Sequence, residues 1–326
     1  MKRSIFALGL LLVVCGLSLE VTTAPAQTYP SRPIQLIIPG APGSILDIAG
    51  RLFGEEIGKI LGTQLIPVDK PGAGFTLGTD FVVKSKKDGY TLLYTNSSAI
   101  VNARVLNPET VPYDPDKDLE PIGLALFISG GIAVQKSSPW KTFAELLDYA
   151  KKNPGKIRFS TNGIGSTGHL NMEIIQALTG TQFTHIPFKA GDSVSNAVLG
   201  GHVEMTFDVT SKLVPHVQSE KLRILLVDKK LFGFPDIPTM TDLGYKHDLC
   251  TSWLAMYGPA GLPEEAKSVL IPAFEKAAKN PELKTKLEKI LFVVDYKTPA
   301  EMRKLAAEQF ETLLEIAKKV GLRKTN

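Results

Sequence analysis

Two glycine-rich loops are the segments of this 326-residue chain that are best suited to binding chemistry. One covers residues 39–44 and leads into a helical pattern that carries Asp47, and the other covers residues 160–168 and leads into one that carries His169. Glycine permits tight turns, and the N–H groups at a helix start carry partial positive charge, so such a loop can hold an anion without Arg or Lys. The alternative for each loop is an ordinary strand-to-helix turn. The two loops together predict a clamp for a small molecule with acidic groups.

Polar side chains follow several other predicted strands, where they could face the same cleft. Asn96 and Ser97 follow one strand directly, Asp208 ends another, and Lys189 is the cation nearest to the predicted site. Several of the candidate residues also have a structural interpretation. Asn96 and Ser97 could cap a helix, a carboxylate such as Asp47 is favoured at any helix start, and His169 could be a packing residue. The predicted ligand-binding residues are Gly40, Ala41, Gly43, Ser44, Asp47, Asn96, Ser97, Thr161, Asn162, Gly163, Gly165, Ser166, Thr167, His169, Lys189 and Asp208.

Motifs for catalysis, cofactors and metals are weak or missing in this sequence. Ser166, His169 and Asp208 could be drawn as a triad, but a Ser and a His three residues apart at one helix start rarely reach nucleophile–base geometry. Residues 163–168 match G-x-G-x-x-G, yet the next predicted strand ends near Lys189 and not at the acid that holds a ribose. Two cysteines and well-separated histidines offer no recognisable metal spacing. We therefore predict no catalytic residues, no metal and no cofactor, and a protein that is not an enzyme.

Short apolar runs alternate with helical patterns along most of the chain. This rhythm predicts an α/β fold with two mostly parallel sheets flanked by helices. Capping-box patterns at Thr142 and Thr298 mark two helix starts. The predicted strands are 34–38, 64–68, 90–94, 157–160, 183–187, 203–207, 222–227, 254–257 and 292–294, and the predicted helices include 45–61, 143–152 and 169–178.

Two apolar segments, 122–134 and 253–259, interrupt this rhythm far apart in the chain. Two such crossings suit a two-lobed protein in which the chain passes out of one lobe and later returns to it. We therefore expect a hinge at these crossings. The predicted division assigns residues 27–128 and 252–326 to lobe 1 and residues 129–251 to lobe 2.

The first 26 residues have the pattern of a secretory signal peptide. Lys2 and Arg3 precede an apolar run over residues 5–19, and an Ala-Pro-Ala sequence at 24–26 fits a cleavage site. A membrane anchor would need a longer run, and a lipoprotein at Cys15 would need a small residue where Val14 stands. The remainder, with Cys250 as its single cysteine, is expected to be a soluble periplasmic protein. A formal net charge of only +4 without a dense basic block argues against nucleic-acid binding.

The motifs of residues 29–321 resemble the solute-binding receptors of tripartite tricarboxylate transporters, also called Bug-type receptors. The resemblance implies a type II periplasmic-binding-protein fold that closes on a small carboxylate, recognised by loop amides, hydroxyls and water. It also implies a membrane permease of one large and one small subunit, served by a monomeric receptor. A periplasmic enzyme or a sensory receptor using the same cleft is the alternative. The motifs are Tyr29-Pro-Ser-Arg-Pro33, Ala41-Pro-Gly43 with Asp47, Lys70-Pro-Gly-Ala-Gly74, Asp88-Gly-Tyr-Thr-Leu-Leu93, Tyr113-Asp-Pro115 with Lys117-Asp118, Asn153-Pro-Gly-Lys156, Gly163-Ile-Gly-Ser166 with His169, His185-Ile-Pro-Phe-Lys189, Leu199-Gly-Gly201, Phe207-Asp208, Lys221-Leu-Arg223 and Pro235-Asp-Ile-Pro-Thr239.

This sequence departs from the family pattern in and near the first loop. Ser44, Ile45 and Leu46 stand where Gly, Gly and Thr are usual, Gly40 replaces an aromatic residue, and Phe75 replaces a glycine. If Ile45 or Leu46 faced the cleft, it would leave less room for water. The departures then predict a ligand less polar than citrate.

Overall fold

The structure is a computed structural model that describes residues 28–188, 193–246 and 248–323. The predicted signal peptide lies outside these residues. The strands are β1 Ile34–Ile38, β2 Leu65–Asp69, β3 Thr91–Asn96, β4 Leu119–Ile128, β5 Gly130–Gln135, β6 Arg158–Thr161, β7 Thr184–Pro187, β8 Met205–Val209, β9 Leu222–Val227, β10 Ser252–Pro259 and β11 Phe292–Lys297. The α-helices are α1 Ile45–Leu61, α2 Thr76–Val83, α3 Ala103–Leu106, α4 Pro115–Asp118, α5 Phe143–Lys152, α6 Thr167–Thr179, α7 Ser193–Leu199, α8 Thr210–Gln218, α9 Glu264–Ala278, α10 Pro281–Lys289 and α11 Pro299–Lys319.

The described strands form two sheets, which confirms the expected two-lobed α/β architecture. The first sheet has six strands in the order β11-β4-β10-β3-β1-β2, and the second has five in the order β7-β6-β8-β5-β9. Both sheets are mixed, which corrects the expectation of mostly parallel sheets. In the first, β1 pairs in parallel with β2 and β3, whereas β10 and β11 make antiparallel pairs. In the second, β6 pairs in parallel with β7 and β8, whereas β5 is antiparallel to β8 and β9.

The antiparallel pairs arise where the chain passes from one sheet to the other. The predicted apolar segment 122–134 forms two strands, β4 in the first sheet and β5 in the second, separated only by Ser129. The chain returns between β9 and β10. A strand that enters a sheet through such a passage lacks the helical crossover that would align it in parallel with its neighbours. We propose the lobe boundaries at these two passages, as the sequence predicted.

A buried carboxylate ties the two passages together. Asp228 follows β9, and its Oδ1 accepts hydrogen bonds from the Ser129 hydroxyl at 3.1 Å and the Gly130 N–H at 3.0 Å. Burial raises the pKa of the Asp228 carboxyl well above its usual range. The two passages between the sheets are thus joined by hydrogen bonds between segments about a hundred residues apart in the chain.

Local signals set the helix boundaries. Helix α11 starts at a complete capping box, in which the Thr298 hydroxyl and the Glu301 carboxylate bond reciprocally to backbone N–H groups. At α5 the Thr142 hydroxyl accepts the Glu145 N–H, but the Glu145 carboxylate accepts the N–H of Lys141, so this box is only half formed. Among the described residues, no helix combines the length and the apolar character that a membrane span requires.

Apolar contacts join the elements on both sheets. Phe53 of α1 stacks on Tyr94 of β3 and on Phe274 of α9, which holds both helices on one face of the first sheet. Trp253 of β10 is fully buried, and its indole N–H donates to Gln309 of α11 at 2.8 Å. The parallel pairing of β1 with β2 and β3 places the carboxyl ends of these strands at one edge, from which the candidate site is built.

Candidate functional site

The second loop lies against the first lobe near the start of α6. The Asn102 amide donates to the Thr167 hydroxyl at 3.3 Å, and that hydroxyl lies 3.1 Å from the Ser252 hydroxyl. A Cβ placed on Gly165 would lie 2.6 Å from Cδ1 of Leu106 at the end of α3. The loop after β6 therefore meets the segment that follows β3.

The first loop uses a carboxylate of the protein itself. The Gly43 N–H donates to Asp47 Oδ2 at 2.7 Å, and the Ser44 hydroxyl accepts the Asp47 N–H as the N-cap of α1. Asp47 is 4% exposed. The Gly43 N–H, which the sequence predicted to bind ligand, is thus already hydrogen-bonded within the loop. Through this bond, Asp47 stabilises the conformation of the loop.

An ion-pair network continues from Asp47 beside this loop. Arg51 donates through Nε to Asp47 at 2.5 Å and through Nη2 to Asp69 at 2.8 Å. Burial, followed by the nearby Asp47 charge, raises the pKa of Asp69. Because Arg51 neutralises two carboxylates, it is not an unpaired cation available to a ligand.

The residues by which the first loop departs from the family pattern pack together. A Cβ at Gly40 would lie 2.7 Å from the Ser44 hydroxyl and 3.3 Å from Leu46 Cβ. Leu46 is 4% exposed and belongs to the core cluster beneath the loop, while Ile45 packs partly buried against that cluster. Side chains at 44 and 46 therefore occupy the space that a larger residue at 40 would need. Ala41 is exposed at the tip of the loop. Because Leu46 points into the core, it gives no support to the predicted preference for a less polar ligand.

The segment between β2 and α2 has a strained backbone. Gly72, Ala73, Gly74 and Phe75 all have positive φ, at 143°, 46°, 62° and 75°. L-residues avoid this region because the side chain crowds the backbone. Phe75, where the family has glycine, keeps the conformation that favours glycine and packs its ring against the first-lobe core.

We expect Ala73→Gly to raise the free energy of unfolding by about 0.5–1 kcal/mol, because glycine relieves the positive-φ strain and the exposed Ala73 side chain loses little packing. Chemical denaturation would measure the change. The matched variant Ala144→Gly, at an exposed position inside α5, should instead lower it by about 1 kcal/mol. Equal destabilisation by both variants would contradict the strain at residue 73.

Polar groups at the carboxyl end of β3 have mostly structural partners. Asn96 Oδ1 accepts the Ala99 N–H at 3.1 Å, and the Ser97 hydroxyl accepts the Trp253 N–H at 3.4 Å. The capping alternative thus describes the bond of Asn96, whereas Ser97 holds strand β10 instead. The Thr95 hydroxyl is fully buried and has no hydrogen-bond partner among the described residues.

The second loop presents a row of backbone N–H groups at the start of α6. Ser166 is the N-cap, and its hydroxyl accepts the His169 N–H and donates to the Gly163 carbonyl at 2.8 Å. Ser166 therefore lacks the nucleophile–base contact that a triad requires. Within residues 28–188, 193–246 and 248–323, hydrogen-bond partners are absent for the N–H groups of Gly163, Ile164, Thr167 and Gly168. These groups can receive an anion.

Asp208 holds the second loop from the neighbouring strand. Its Oδ1 accepts from the Asn162 amide at 3.2 Å and the Val209 N–H at 2.8 Å, and its Oδ2 accepts from the Ser195 hydroxyl at 2.8 Å. Asp208 is 2% exposed, whereas Asn162 is exposed. Asn162 is thus the member of this group that can reach a ligand, and Asp208 orients it.

A stack of three rings lies beneath the second loop. Phe159 of β6 packs on His185 of β7 at 4.8 Å between centroids, and His185 packs on His169 of α6 at 4.2 Å with 17° between the planes. Burial lowers the pKa of both imidazoles, and with the added effect of a charge on His169 the pKa of His185 falls to about 4. Both rings are therefore neutral at pH 7.

The depressed His185 pKa predicts that stability is lost on acidification. The unfolded chain has its histidine pKa near 6.5, so this contribution is complete above about pH 6.5 and is lost as pH falls to about 4. Because the ring is partly exposed, we expect a loss of about 2 kcal/mol in the free energy of unfolding. His185→Gln, which places a neutral amide near the Thr161 hydroxyl, should show a smaller loss in urea unfolding between pH 7 and 4. Parallel pH profiles for both proteins would contradict the prediction.

The structure places the predicted residues of the second loop beside Asp208 and those of the first loop around Asp47, and it adds others. The residues that sequence reasoning missed are Asn102, Leu106, Ser195 and, as a site member, His185; only His185 had a signal, its place in a family motif. Lys189 lies outside the described residues. Among those that are described, groups of three or more acidic, His or Cys side chains arranged for a metal ion are absent.

Known proteins share both the sequence and the fold. Residues 49–322 match the model of the tripartite tricarboxylate transporter family receptor. A Cupriavidus necator protein, the UPF0065 protein in the gbd 5′ region, is 35% identical over 311 residues, which cover 95% of this chain and 94% of the relative. Protein BugT of Bordetella pertussis is 31% identical over 263 residues, 80% of each chain. A crystal structure of a TctC solute-binding protein from Polaromonas, without ligand, superposes with a TM-score of 0.80 at 28% identity, over 90% of this chain and all of that one.

Proposed function

Because this chain belongs to the tripartite tricarboxylate transporter receptor family, we propose that it captures a small carboxylate between its two lobes and delivers it to a membrane permease. The family and the related structures are periplasmic solute-binding proteins. For this chain we thus propose a small carboxylate as the ligand, a periplasmic location after removal of residues 1–26, and action as a monomer.

The observation that carries the proposal is the row of N–H groups at the start of α6. Gly163, Ile164, Thr167 and Gly168 have no hydrogen-bond partner for their N–H groups among the described residues, and this end of α6 faces the first lobe. A carboxylate fits such a helix start because two oxygens can accept several N–H groups where the helix dipole is positive. The exposed Asn162 side chain adds a donor or an acceptor at the same edge.

We further propose that the protein binds its ligand without converting it. The Ser166 hydroxyl bonds to the Gly163 carbonyl, and Asp208 bonds to Asn162 and Ser195 and not to a histidine. These residues therefore do not form the connected nucleophile, base and orienting acid of a catalytic triad. A sensory receptor would bind ligand in the same way, so only the membrane partner distinguishes sensing from transport.

A thermal-shift screen of residues 27–326 against mono-, di- and tricarboxylates tests the proposal. We expect one carboxylate class to raise the melting temperature by about 5–10 °C, because a ligand at about 100 times Kd adds about 2.7 kcal/mol. The methyl esters of the same acids serve as controls, since they keep the carbon skeleton but remove the charge. Mass spectrometry of the recovered ligand would reveal turnover.

Three results would count against the proposal. The absence of any shift, with protein that is folded and stripped of co-purified ligand, would contradict carboxylate capture. Equal shifts with acids and esters would show that the loop N–H groups are not the recognition element. Conversion of the ligand would favour an enzyme.

A further inference from the structure

The histidine pair beneath the second loop is joined to the loop backbone by a specific hydrogen bond. The Gly165 N–H donates to Nδ1 of His169 at 3.0 Å. This bond exists only while Nδ1 is unprotonated, because a protonated Nδ1 would direct a second N–H at the Gly165 N–H. The neutral ring therefore carries its proton on Nε2, which points toward Glu173 Oε1 at 3.6 Å.

The second imidazole supports the first from the neighbouring strand. Nε2 of His185 lies 2.7 Å from the hydroxyl of Thr161, a fully buried residue at the end of β6. The ring is enclosed between Phe159 and His169, at 4.8 Å and 4.2 Å between centroids. Stacked rings this close cannot both carry a charge without strong repulsion. Repulsion therefore disfavours the doubly protonated pair, and burial disfavours a charge on either member.

We propose that His169 and His185 are positioning residues that hold the 163–168 loop in its ligand-binding form only while both imidazoles are neutral, so that affinity falls on acidification. This inference rests on the proposed function, since it concerns the same loop. It reassigns His169, which is 7% exposed, from a direct ligand contact to a support for the Gly165 backbone.

Few charged groups could offset protonation of this pair. On α6 the facing group is Glu173, and burial raises the pKa of its carboxyl, which weakens it as a counter-charge. On β7 the facing group of His169 is His185 itself. On β8, Asp208 bonds to Asn162, Ser195 and the Val209 N–H. An added proton on the pair thus has no strong compensating partner among the described residues.

Two substitutions at position 169 separate the effect of the Nδ1 acceptor from the effect of the stacked ring. His169→Asn places an amide oxygen close to the position of Nδ1, so it keeps an acceptor for the Gly165 N–H and cannot be protonated. His169→Phe keeps the stacked ring and removes the acceptor. His202→Asn, at an exposed position in the same lobe, serves as the control for the loss of a histidine. Melting temperatures show whether each variant is folded.

The first measurement needs no ligand. Amide NMR and hydrogen exchange of the ligand-free protein between pH 8 and 4 should show the Gly165 N–H protected at pH 7.5 and exposed together with imidazole protonation at lower pH. We expect His169→Phe to expose this N–H at every pH. We expect His169→Asn to keep it protected throughout, and His202→Asn to behave as the wild type does. If the exchange of the Gly165 N–H did not change when the imidazoles are protonated, the proposal would be overturned.

The second measurement is the affinity for citrate, succinate and benzoate by calorimetry at pH 7.5 and 4, with the wild type and His169→Asn compared at each pH so that protonation of the ligand itself cancels. For any of these that binds, the loss of affinity between pH 7.5 and 4 should be about tenfold larger in the wild type than in His169→Asn, and His169→Phe should already be about tenfold weaker than the wild type at pH 7.5, as the loss of one buried hydrogen bond implies. Affinity that rises on acidification would show that the imidazolium attracts the ligand, and would overturn the proposal. If none of the three binds, the Gly165 exchange data still decide the role of the histidines, and the thermal-shift panel separately decides carboxylate capture.

Discussion

Gly165→Ala is expected to weaken carboxylate binding about fivefold. Gly165 has φ of +78°, and a Cβ at this position would lie 2.6 Å from Cδ1 of Leu106 in the opposite lobe. The positive-φ strain costs about 1–2 kcal/mol whether the cleft is open or closed, but the collision arises only when the loop meets the first lobe. Because Cδ1 is the end of a flexible side chain that can move partly aside, this overpacking costs about 1 kcal/mol, at the lower end of the usual range, and it acts against closure and so against affinity. Calorimetry with the carboxylate that gives the largest thermal shift measures the effect.

Two further variants isolate the collision from the strain. Gly180→Ala, at the other end of α6, has a similar φ of +67° and open space around its Cβ, so it should lower stability but leave affinity unchanged. Gly165→Ala combined with Leu106→Ala should recover much of the lost affinity, because the shorter side chain makes room for the added methyl group. Unchanged affinity in Gly165→Ala would remove the contact between Gly165 and Leu106 from the closed state.

Asp208→Ala is expected to lower the free energy of unfolding by about 3 kcal/mol and the melting temperature by about 6–10 °C. The substitution leaves the buried Ser195 hydroxyl without its acceptor, and it also removes the acceptor of the exposed Asn162 amide. A donor stranded in a buried site cannot regain the water bonds that it has in the unfolded chain. Because Asn162 then loses its fixed orientation, we also expect affinity to fall about tenfold. Denaturation and calorimetry measure the two effects separately.

A conservative variant and a surface variant serve as controls for this prediction. Asp208→Asn keeps one oxygen for the Asn162 amide and the Val209 N–H, and the Ser195 hydroxyl can accept from the new amide, so most stability should return. Asp148→Ala, at an exposed position on α5, should change stability by less than about 0.5 kcal/mol. If Asp208→Ala were no more destabilising than Asp148→Ala, the bonds from Asp208 would have no structural role.

Local patterns were sufficient for many of the secondary-structure elements. The bounds predicted for β1, α1, α5 and β9 agree with the structure, because apolar period, N-cap residues and a C-terminal glycine are all encoded within a few neighbouring residues. The direction of β5, β10 and β11 could not be read in this way, because direction depends on pairing with strands that are far away in the chain. The continuous apolar segment that forms β4 and β5 gave no sign of the sheet change at Ser129.

The same limit applies to the candidate site. The sequence by itself determined the family, the two-lobed fold and the two loops, because glycine positions and helix starts are local features. It could not determine which polar atoms in these loops are already paired. Only the tertiary structure decided that Asp208 reaches Asn162 and Ser195, and that His169 stacks on His185 and accepts the Gly165 N–H. The physical reason is that a hydrogen bond or a ring stack requires contact within a few ångström, and packing of β6, β7 and β8 sets which distant residues make it.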